Sequence, residues 1–383
     1  MTLYMKRYLV VGAGGRLGRS FIEVLCKNNI DCVTDLRLLY VDYTGTILEE
    51  QKVLCAAANI SVEWMVVDIT RREILYTVLE DVDVVIHLEE VVDYEGQVTA
   101  EKMWRVNVQA VSNLLEVCCQ KNVRHLVYTS SVRAIGPNSN REPMHFGNEK
   151  THYEIDHVTE YGYTKYKAEK LVLSASGRRL QNSKHFHTCS LRLPTIYGGL
   201  DDPIILQVIY RHHKSKVIST PCDPNHAQVH MRIENAAWAH VLAAKAIQEN
   251  PYFLRGCAYY VGDNTPNMSY DQLAARFLKS SGFELSYRKG KMPFWLFYCG
   301  VILLYYVTTL INMFGKIFGK TVKEPVSPTY LKTACVPFTF SHRKFSKRFY
   351  YQPLLSWKES FLLTQMEVES IYNQLMEEES NEK

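Results

Sequence analysis

A tyrosine and a lysine four residues apart are the side chains in this sequence best placed to do chemistry. Tyr161 and Lys165 occur in the run YGYTKYKAE, which begins a helix-like stretch, so both lie on one helical face. A free phenol has a pKa of about 10, too high for a base near neutral pH. A neighbouring ammonium favours the phenolate and lowers that pKa. The pair could therefore take a proton from a substrate hydroxyl.

The same Tyr–Lys spacing occurs twice more, at Tyr163 and Lys167 and at Tyr166 and Lys170. Exposed Tyr and Lys residues on a solvated helix face are therefore an alternative interpretation. Ser131 favours the chemical one, because it lies in the run YTSS at the carboxyl end of a predicted strand, where parallel sheets bind ligands. Its hydroxyl could bridge the substrate oxygen and the tyrosine, or it could satisfy backbone groups in a local turn.

A glycine-rich loop near the N-terminus indicates a dinucleotide site. Gly12, Gly15 and Gly18 form G-x-x-G-x-x-G directly after the first predicted strand and at the start of a helix. A tight turn without Cβ atoms lets a pyrophosphate approach backbone N–H groups, and the helix N-terminus adds partial positive charge. A glycine turn kept only for packing is the alternative.

Acidic residues after the next two strands predict the remaining contacts of such a cofactor. Asp42 follows Gly18 by 24 residues and ends the second predicted strand. A carboxylate there accepts hydrogen bonds from ribose hydroxyls and repels a 2′-phosphate, which favours NAD over NADP. A solvated aspartate opening a turn is the alternative. Asp68 ends the third predicted strand and could pair with the adenine amino group, with Ile69 against the ring.

Alternating apolar runs predict the elements that position these residues. Strands are expected at Tyr8–Val11, Leu38–Val41, Val62–Val67, Val82–His87 and His125–Thr129, and helices at Arg19–Lys27, about Val106–Cys119 and Asn235–Glu249. This alternation is typical of an α/β fold with a Rossmann-type, doubly wound parallel sheet. Turn signals become denser beyond Gly199, which indicates a smaller substrate-covering region that includes the helix Asn235–Glu249.

Pro293–Phe314 is a run of 22 residues without a charge, and lysines flank it on both sides. The hydrocarbon core of a bilayer needs about 20 apolar residues, so the run is long enough to span it. A membrane span, an anchor lying in the membrane plane and a buried core helix all stay open. The mainly acidic end, Glu377–Lys383, is expected to be a solvated tail.

Composition excludes several classes of protein. The 383 residues carry 44 basic and 40 acidic side chains, and this mild balance argues against nucleic-acid binding. None of the ten cysteines forms a CxxC pair, so neither a disulfide framework nor a metal site is expected. Most cysteines should be buried, reduced thiols, which fits a cytosol-facing protein.

Together these stretches resemble the extended short-chain dehydrogenase/reductase family, and within it the 3β-hydroxysteroid dehydrogenase/Δ5-isomerase group. The resemblance covers nearly the whole chain. Its most specific parts are TSS followed by GPN, AWAH, and YQPLLSW, and the matching stretches are Val11–Gly18, Leu126–Asn138, Tyr161–Glu169, Asn235–Ala244, Phe338–Ser341 and Tyr351–Trp357.

The resemblance assigns roles to particular residues. Ala168-Glu169 follow Lys165 as in the family, which selects Tyr161 and Lys165, and Gly136 follows Ser131 in the family register. The implied catalytic residues are therefore Ser131, Tyr161 and Lys165, with Lys165 also holding the nicotinamide ribose. The implied cofactor-binding residues are Gly12, Gly15, Arg16, Leu17, Gly18, Asp42, Asp68, Ile69, Tyr161 and Lys165.

The resemblance also implies an activity and a location. NAD would oxidise a 3β-hydroxyl of an apolar steroid to a ketone, and a Δ5-to-Δ4 double-bond shift would follow in steroids that carry it. The apolar run would anchor the protein in the endoplasmic reticulum membrane, or the mitochondrial membrane in some relatives, with a cytosol-facing catalytic domain. Formation of a homodimer stays open.

Several residues depart from the family pattern around the cofactor. Glu89 and Glu90 follow the fourth strand, where the family has small residues, and a carboxylate there would repel a pyrophosphate. Arg16 replaces the usual aromatic residue of the glycine loop, and we predict that it pairs with Glu89. The family proline has moved to Pro194, and Ala110 replaces a glycine.

The sequence therefore predicts a Rossmann domain at 1–199, a substrate-binding region at 200–291, an anchor or span at 292–315, and a C-terminal region with a polar tail at 316–383. A steroid dehydrogenase is the favoured function. A related sterol or sugar-nucleotide oxidoreductase or epimerase is one alternative, and a catalytically weak membrane-bound NAD- or sterol-binding relative is another.

Overall fold

The chain alternates strands and helices, and its computed structural model describes residues 6–30, 32–42, 45–93, 96–223, 225–287, 294–315 and 327–381. The described strands are β1 (Arg7–Val11), β2 (Asp35–Tyr40), β3 (Ser61–Val66), β4 (Val84–His87), β5 (His125–Ser131), β6 (Met144–Gly147), β7 (His187–Leu193), β8 (Thr195–Tyr197), β9 (Val217–Thr220), β10 (His230–Arg232), β11 (Cys257–Tyr260), β12 (Glu284–Tyr287) and β13 (Phe338–Phe340).

Helices lie on both faces of the main sheet and in the C-terminal part of the chain. They are α1 (Arg16–Lys27), α2 (Gly45–Ala57), α3 (Arg72–Val78), α4 (Ala100–Trp104), α5 (Ala110–Gln120), α6 (Glu160–Ala175), α7 (Pro203–His212), α8 (Ile233–Glu249), α9 (Pro251–Leu254), α10 (Tyr270–Phe277), α11 (Phe294–Gly315), α12 (Pro328–Ala334), α13 (Arg343–Phe349) and α14 (Trp357–Asn381). A π-helical turn at Arg105–Gln109 joins α4 to α5, and a 3-10 turn at Val132–Ala134 follows β5.

The main sheet has seven parallel strands in the order β11-β7-β5-β4-β1-β2-β3. The chain winds outward from β1 in one direction and from β4 in the other, so the carboxyl ends of these two strands flank a crevice. Ligands of doubly wound sheets bind at this switch point. The predicted Rossmann-type α/β fold is confirmed.

Apolar layers cover both faces of the sheet. On one face, Phe21 and Leu25 of α1 pack with Ala237 of α8. On the other face, Leu114 of α5 packs with Val172 of α6. The helix predicted at Asn235–Glu249 was expected in the substrate region, and that assignment is wrong. Its small buried residues let α8 lie close against the sheet, so it belongs to the main α/β layer.

A smaller region built around α7, α10 and α14 packs beside the carboxyl ends of the strands. Ile209, Phe277 and Val368 lie in its core. Arg232, 1% exposed, fastens α14 through two 2.6–2.7 Å bonds to Glu367. In the tail predicted to be solvated, Glu377 and Glu378 are exposed as expected, although helix α14 continues to Asn381. Residues 382 and 383 lie outside the described part of the chain.

The apolar run forms the single helix α11, in which Trp295–Phe314 has a mean hydropathy of 1.7 and only 6% of its residues buried. This exposure contradicts the buried-core interpretation. Its first turns contact the body, where Phe297, Tyr298 and Val301 pack against Leu331. By length and composition the helix can cross a membrane, or lie in its plane.

The glycine loop between β1 and α1 is pinned from two sides. Gly12 has φ +88°, a left-handed backbone that glycine adopts without strain. Gln51 of α2 donates to the Ala13 carbonyl at 2.9 Å and also bonds the Tyr40 hydroxyl. A Cβ on Gly18 would lie only 2.1 Å from the Gly12 oxygen, so α1 can meet the loop this closely only with glycine there.

We expect Gly18→Ala to lower the free energy of unfolding by about 2–3 kcal/mol, because the added methyl group must push α1 away from the loop backbone. Gly15→Ala is the matched control, since a Cβ there meets its nearest atom at 3.4 Å. Thermal unfolding of the cofactor-free protein in detergent measures both. Equal melting temperatures for the two variants would contradict this account of the loop.

Candidate active site

One cavity of about 300 Å³ at the carboxyl end of the sheet is lined by two predicted catalytic residues, Ser131 and Tyr161, and by the glycine loop, whereas Lys165 is buried and does not line it. Tyr161 enters it from α6, Ser131 from the end of β5, and Glu89 and Glu90 from the loop after β4. The other predicted residues that line it are Gly12, Gly15, Arg16, Leu17 and Gly18. The topology explains this convergence, because all these residues lie at or beyond the carboxyl ends of neighbouring strands.

The Glu90 carboxylate joins the predicted catalytic pair. Its Oε2 accepts a 3.1 Å hydrogen bond from the Tyr161 hydroxyl and lies 2.8 Å from Lys165 Nζ. Lys165 is 1% exposed, and an unpaired cation at such a site would cost several kcal/mol. Burial disfavours the Lys165 charge, but Glu90 and Tyr128 outweigh burial, and the pKa of Lys165 is raised above its ordinary value.

Two groups on the sheet side contact the Lys165 ammonium, and His240 supports one of them. Its Nζ donates to the Thr129 carbonyl at 2.7 Å and lies 4.5 Å from the centre of the Tyr128 ring. The Thr129 hydroxyl in turn bonds His240 Nε2 at 2.8 Å, and His240 Nδ1 bonds the Ala236 carbonyl at 2.7 Å. Burial lowers the pKa of His240 to about 4, so the ring is neutral, donates from Nδ1 and accepts from Thr129.

Asn107 fixes the path of the loop that carries Glu90. Its amide oxygen accepts from the Val91 N–H at 2.8 Å, and its Nδ2 donates to the Val91 carbonyl at 3.0 Å and to the Thr164 hydroxyl at 3.2 Å. Asn107 lies in the π-helical turn, and such turns are frequent at functional sites. The loop after β4 is thereby tied to α6 at Thr164, between the two residues of the predicted catalytic pair.

Glu89 lies directly against the glycine loop. A Cβ on Gly12 would meet the Glu89 N at 2.8 Å and its Oε2 at 2.9 Å. Burial first, and then the carboxylates of Glu90 and Asp42, raise the pKa of Glu89 to about 7. Near neutral pH this side chain therefore exchanges between a charged and a neutral form, and the charged form opposes a pyrophosphate.

The predicted Arg16–Glu89 ion pair is wrong. Arg16 Nη2 donates to the Gly198 carbonyl at 2.7 Å and lies 3.4 Å from an Asp202 carboxylate oxygen, and Arg16 Nε lies 3.6 Å from Asp201. The two aspartates precede α7 and attract Arg16 away from the loop after β4. This contact ties the smaller region to the first turn of α1 and leaves Glu89 without that counterion.

Serine and the adenosine-side residues have local partners of their own. Ser131 lines the cavity, and its Oγ accepts from the Arg133 N–H at 3.2 Å, so the local turn contact is present and the substrate contact stays a prediction. Asp42 is exposed two residues beyond β2, close enough to Glu89 to affect its pKa. Asp68 is exposed and accepts from Thr70 N and Oγ1, while Ile69 is buried in the core. The cofactor roles of these residues stay predictions.

The crevice suits a dinucleotide at the pyrophosphate position in most respects. Helix α1 begins after Gly15, without a side-chain cap and without an acidic residue in its first turn, as far as the described residues extend. Its first N–H groups are therefore available to an anion. Two carboxylates do not suit a dinucleotide: Glu89 lies against the glycine loop, and Glu90 contacts Lys165.

A second cavity of about 510 Å³ opens beside Tyr161, lined in part by Met103, Ile155 and Val158. Thr329 of α12, the first described helix after α11, also reaches it. Its volume is within the usual range for small-molecule sites, roughly 300–1,000 Å³. Tyr161 therefore lies between the glycine-loop cavity and a space large enough for a substrate.

Sequence reasoning missed several residues that shape the site. Glu90 was noted only as a departure from the family, and its contact with both Tyr161 and Lys165 was not foreseen. The His240–Thr129 contact was also missed, although the run AWAH was recognised as specific. The distinctive local sequence was a signal for His240, whereas its partner, 111 residues away in the chain, could not be read from it.

Most of the chain matches one known protein family. A model of the 3-beta hydroxysteroid dehydrogenase/isomerase family matches residues 9–293. A Homo sapiens protein named 3 beta-hydroxysteroid dehydrogenase type 7 is 31% identical over 92% of this chain and 93% of its own length, and the Mus musculus protein of that name is 30% identical over the same shares. The solved UDP-glucuronic acid 4-epimerase from Bacillus cereus, in complex with UDP-glucuronic acid and NAD, has a TM-score of 0.65 at 16% identity, covering 96% of this chain and 100% of that one.

We expect Glu89→Gln to stabilise the cofactor-free protein at pH 8 by about 2–3 kcal/mol and to change it little at pH 4.5. Glu89 has a raised pKa in the folded state, so its proton favours folding below its ordinary pKa of 4.5, and this contribution is lost as the pH rises through about 7. Glutamine has no such loss. Thermal unfolding at both pH values measures the difference.

The exposed Glu73 on α3 provides the matched control, because Glu73→Gln removes a charge that water already solvates. Its effect should be the same at both pH values. If Glu89→Gln were equally indifferent to pH, Glu89 would not be held in a desolvated, acidic environment.

Proposed function

Because this chain belongs to the 3-beta hydroxysteroid dehydrogenase/isomerase family, we propose that it oxidises the 3β-hydroxyl of a steroid to a ketone with NAD. The single observation that carries the proposal is the cavity in which Tyr161 and Ser131 face the glycine loop. A Δ5-to-Δ4 double-bond shift follows in substrates that carry that double bond. Bound NAD supplies the acceptor for the hydride that leaves the substrate carbon.

The chain's own residues handle the proton and the orientation of the substrate. The Ser131 hydroxyl and the Tyr161 hydroxyl both bind the substrate oxygen, and Tyr161 removes its proton. The Lys165 cation, held by the Thr129 carbonyl, favours the charged form of a neighbouring phenol. Before NAD binds, Tyr161 can pass its own proton to Glu90 Oε2, which lies 3.1 Å from its hydroxyl, and the phenolate that remains then accepts the proton of the substrate hydroxyl.

Glu90 occupies the position from which Lys165 would contact a nicotinamide ribose. Lys165 Nζ already has the Thr129 carbonyl, the Tyr128 ring and Glu90 as partners. A ribose hydroxyl can join them only when the carboxylate shifts. Cofactor binding therefore includes breaking or stretching the 2.8 Å Lys165–Glu90 contact, and the cost of that step weakens the affinity for NAD.

The exposed helix α11 favours an apolar substrate over a water-soluble sugar nucleotide. A membrane helix places the catalytic domain against a bilayer, where sterols concentrate, and Thr329 connects the segment after α11 with the cavity beside Tyr161. We propose attachment to the endoplasmic reticulum membrane, as the family resemblance implies, with the catalytic domain facing the cytosol. A related sterol oxidoreductase fits the same reasoning.

One specific observation favours a second candidate function. The buried Lys165–Glu90 pair, together with Glu89 against the glycine loop, would suit a membrane-bound sterol-binding relative that has lost most of its affinity for NAD. Calorimetry separates the two functions. Measurable binding of NAD at or below millimolar concentration supports the dehydrogenase, and its absence supports the binding protein.

We expect Tyr161→Phe to reduce NADH formation from a 3β-hydroxysteroid by about 100-fold or more, because the proton acceptor is removed while the ring is kept. Tyr166→Phe is the matched control from the same helix and should retain the wild-type rate within about two-fold. The assay follows absorbance of NADH in detergent, with melting temperatures as a folding check. A folded Tyr161→Phe variant with full activity would rule out this role for Tyr161.

We expect Glu90→Gln to tighten NAD binding about five-fold, because the amide keeps a hydrogen-bond acceptor for Lys165 but removes the charge that competes for it and repels phosphate. Calorimetry with NAD measures this. The exposed Glu160, one residue before Tyr161, is the control, since Glu160→Gln removes the same charge at the surface. Weaker NAD binding by Glu90→Gln would contradict the account, because Glu90 would then be a cofactor ligand.

A further inference from the structure

Two cysteines far apart in the chain meet beneath the apolar helix. Cys222 Sγ and Cys335 Sγ are 2.8 Å apart although 113 residues separate them, and the two residues are 4% and 2% exposed. The protein contains its own reference for an ordinary thiol contact, because Cys26 Sγ and Cys55 Sγ lie 3.6 Å apart. The Cys222–Cys335 pair is therefore distinctly closer than two thiols in simple contact.

The backbone around the pair is already fixed. Gln228 Nε2 donates to the carbonyls of Thr333 at 2.8 Å and Val336 at 3.1 Å, on either side of Ala334-Cys335. Arg141 Nη2 donates to the Cys335 carbonyl at 2.8 Å. Cys335 is therefore held on a fixed backbone, and a bond from its sulfur to Cys222 requires a movement of less than about 1 Å to reach the usual S–S distance near 2.05 Å.

His226 makes a metal site the obvious competitor, because its ring, Cys222 and Cys335 all offer ligand atoms within 4.8 Å of one another. Two thiolates on one tetrahedral zinc ion, with Zn–S bonds near 2.3 Å, are held about 3.8 Å apart. The sulfurs would have to separate by about 1 Å to bind zinc, and among the described residues the group offers three ligand residues where a structural zinc site uses four. The nearby Arg141 guanidinium, which donates to the backbone of Cys335, also opposes a dication at this position. The geometry favours a sulfur–sulfur bond over a metal.

Cys222 and Cys335 lie between the helix that follows α11 and the smaller region, so a bond between them would connect these two parts. Cys335 follows α12, the first described helix after α11, and Cys222 follows β9 in the smaller region. Phe297, Tyr298 and Val301 of α11 pack against the same cluster. Cys222 also lines a narrow cavity with Ile204, which in turn lines the cavity of Tyr161 and Ser131. A covalent link between Cys222 and Cys335 would fasten the end of α12 to the smaller region, whose Ile204 lines the cavity of Tyr161 and Ser131.

We propose that Cys222 and Cys335 are a redox pair. Their disulfide would lock helix α12, which follows the apolar helix α11, onto the smaller region beside the active-site cavity. The oxidant is a small peroxide. The Cys222 sulfur attacks one peroxide oxygen, the O–O bond breaks, and the other oxygen leaves as water, giving a sulfenic acid. The Cys335 sulfur then attacks the Cys222 sulfur and the second oxygen leaves as water. Two thiols and one hydrogen peroxide thus give one disulfide and two waters.

The test uses the full chain in detergent, first fully reduced and then exposed to hydrogen peroxide. Remaining thiols are alkylated under denaturing conditions, and a non-reduced digest is analysed by mass spectrometry. We expect the peptides of Cys222 and Cys335 to be joined, with a loss of two hydrogens, while those of Cys26 and Cys55 remain alkylated. The oxidised wild type should melt several degrees higher than the reduced protein, since the bond closes a long loop.

Variants separate this link from general oxidation. Cys222→Ser and Cys335→Ser should each abolish the peroxide-dependent rise in melting temperature, and Cys26→Ser should leave it unchanged. Comparison of oxidised and reduced wild type needs no variant to fold. The proposal is overturned if both thiols remain fully alkylatable after peroxide. It is also overturned if the purified protein contains one equivalent of zinc that protects Cys222 and Cys335 from alkylation.

Discussion

The shared carboxylate of Glu90 is the interaction on which the geometry of the site depends. A lysine that is 1% exposed needs a partner of opposite charge, and Glu90 supplies it at 2.8 Å while also accepting from Tyr161. The same oxygen therefore sets the separation and the direction of the two side chains proposed to carry the chemistry. The Glu90 carboxylate also competes with the proposed cofactor, because a ribose hydroxyl of NAD would bind the same Lys165 ammonium.

The surrounding fold holds both sides of this interaction. On the sheet side, His240 positions Thr129, whose carbonyl fixes Lys165 from the carboxyl end of β5. On the loop side, Asn107 of the π-helical turn binds the backbone of Val91 and so fixes the path of the residues before it. These supports are buried and neutral, so the charges they position are felt in a medium of low dielectric constant. The frame around the site is therefore rigid, and in the proposed function the Glu90 side chain moves when NAD binds.

The sequence predicted the parts of this arrangement that follow from local rules. The glycine loop, the strands β1 to β5 and the placement of Ser131 at a carboxyl strand end follow from the alternation of elements and from the topology of parallel sheets. Periodicity does not say which layer a helix joins, and α8 was therefore assigned to the wrong region. The partner of Arg16 was also missed, because Asp201 and Asp202 lie over 180 residues away and compete with a nearby Glu89 only once the chain is folded. The contact of Glu90 with both Tyr161 and Lys165 could not be predicted either. It depends on the path of the loop after β4, which Asn107 of the π-helical turn fixes through the Val91 backbone.

The central claim is that Glu90 holds the catalytic pair until NAD takes its place on Lys165. An experimentally determined structure of the full chain with NAD bound tests this most directly. The account predicts the pyrophosphate at the start of α1, the Lys165 ammonium on the nicotinamide ribose, and the Glu90 carboxylate displaced from its present 2.8 Å contact. NAD bound with that contact intact, and with Lys165 turned away from the ribose, would contradict it.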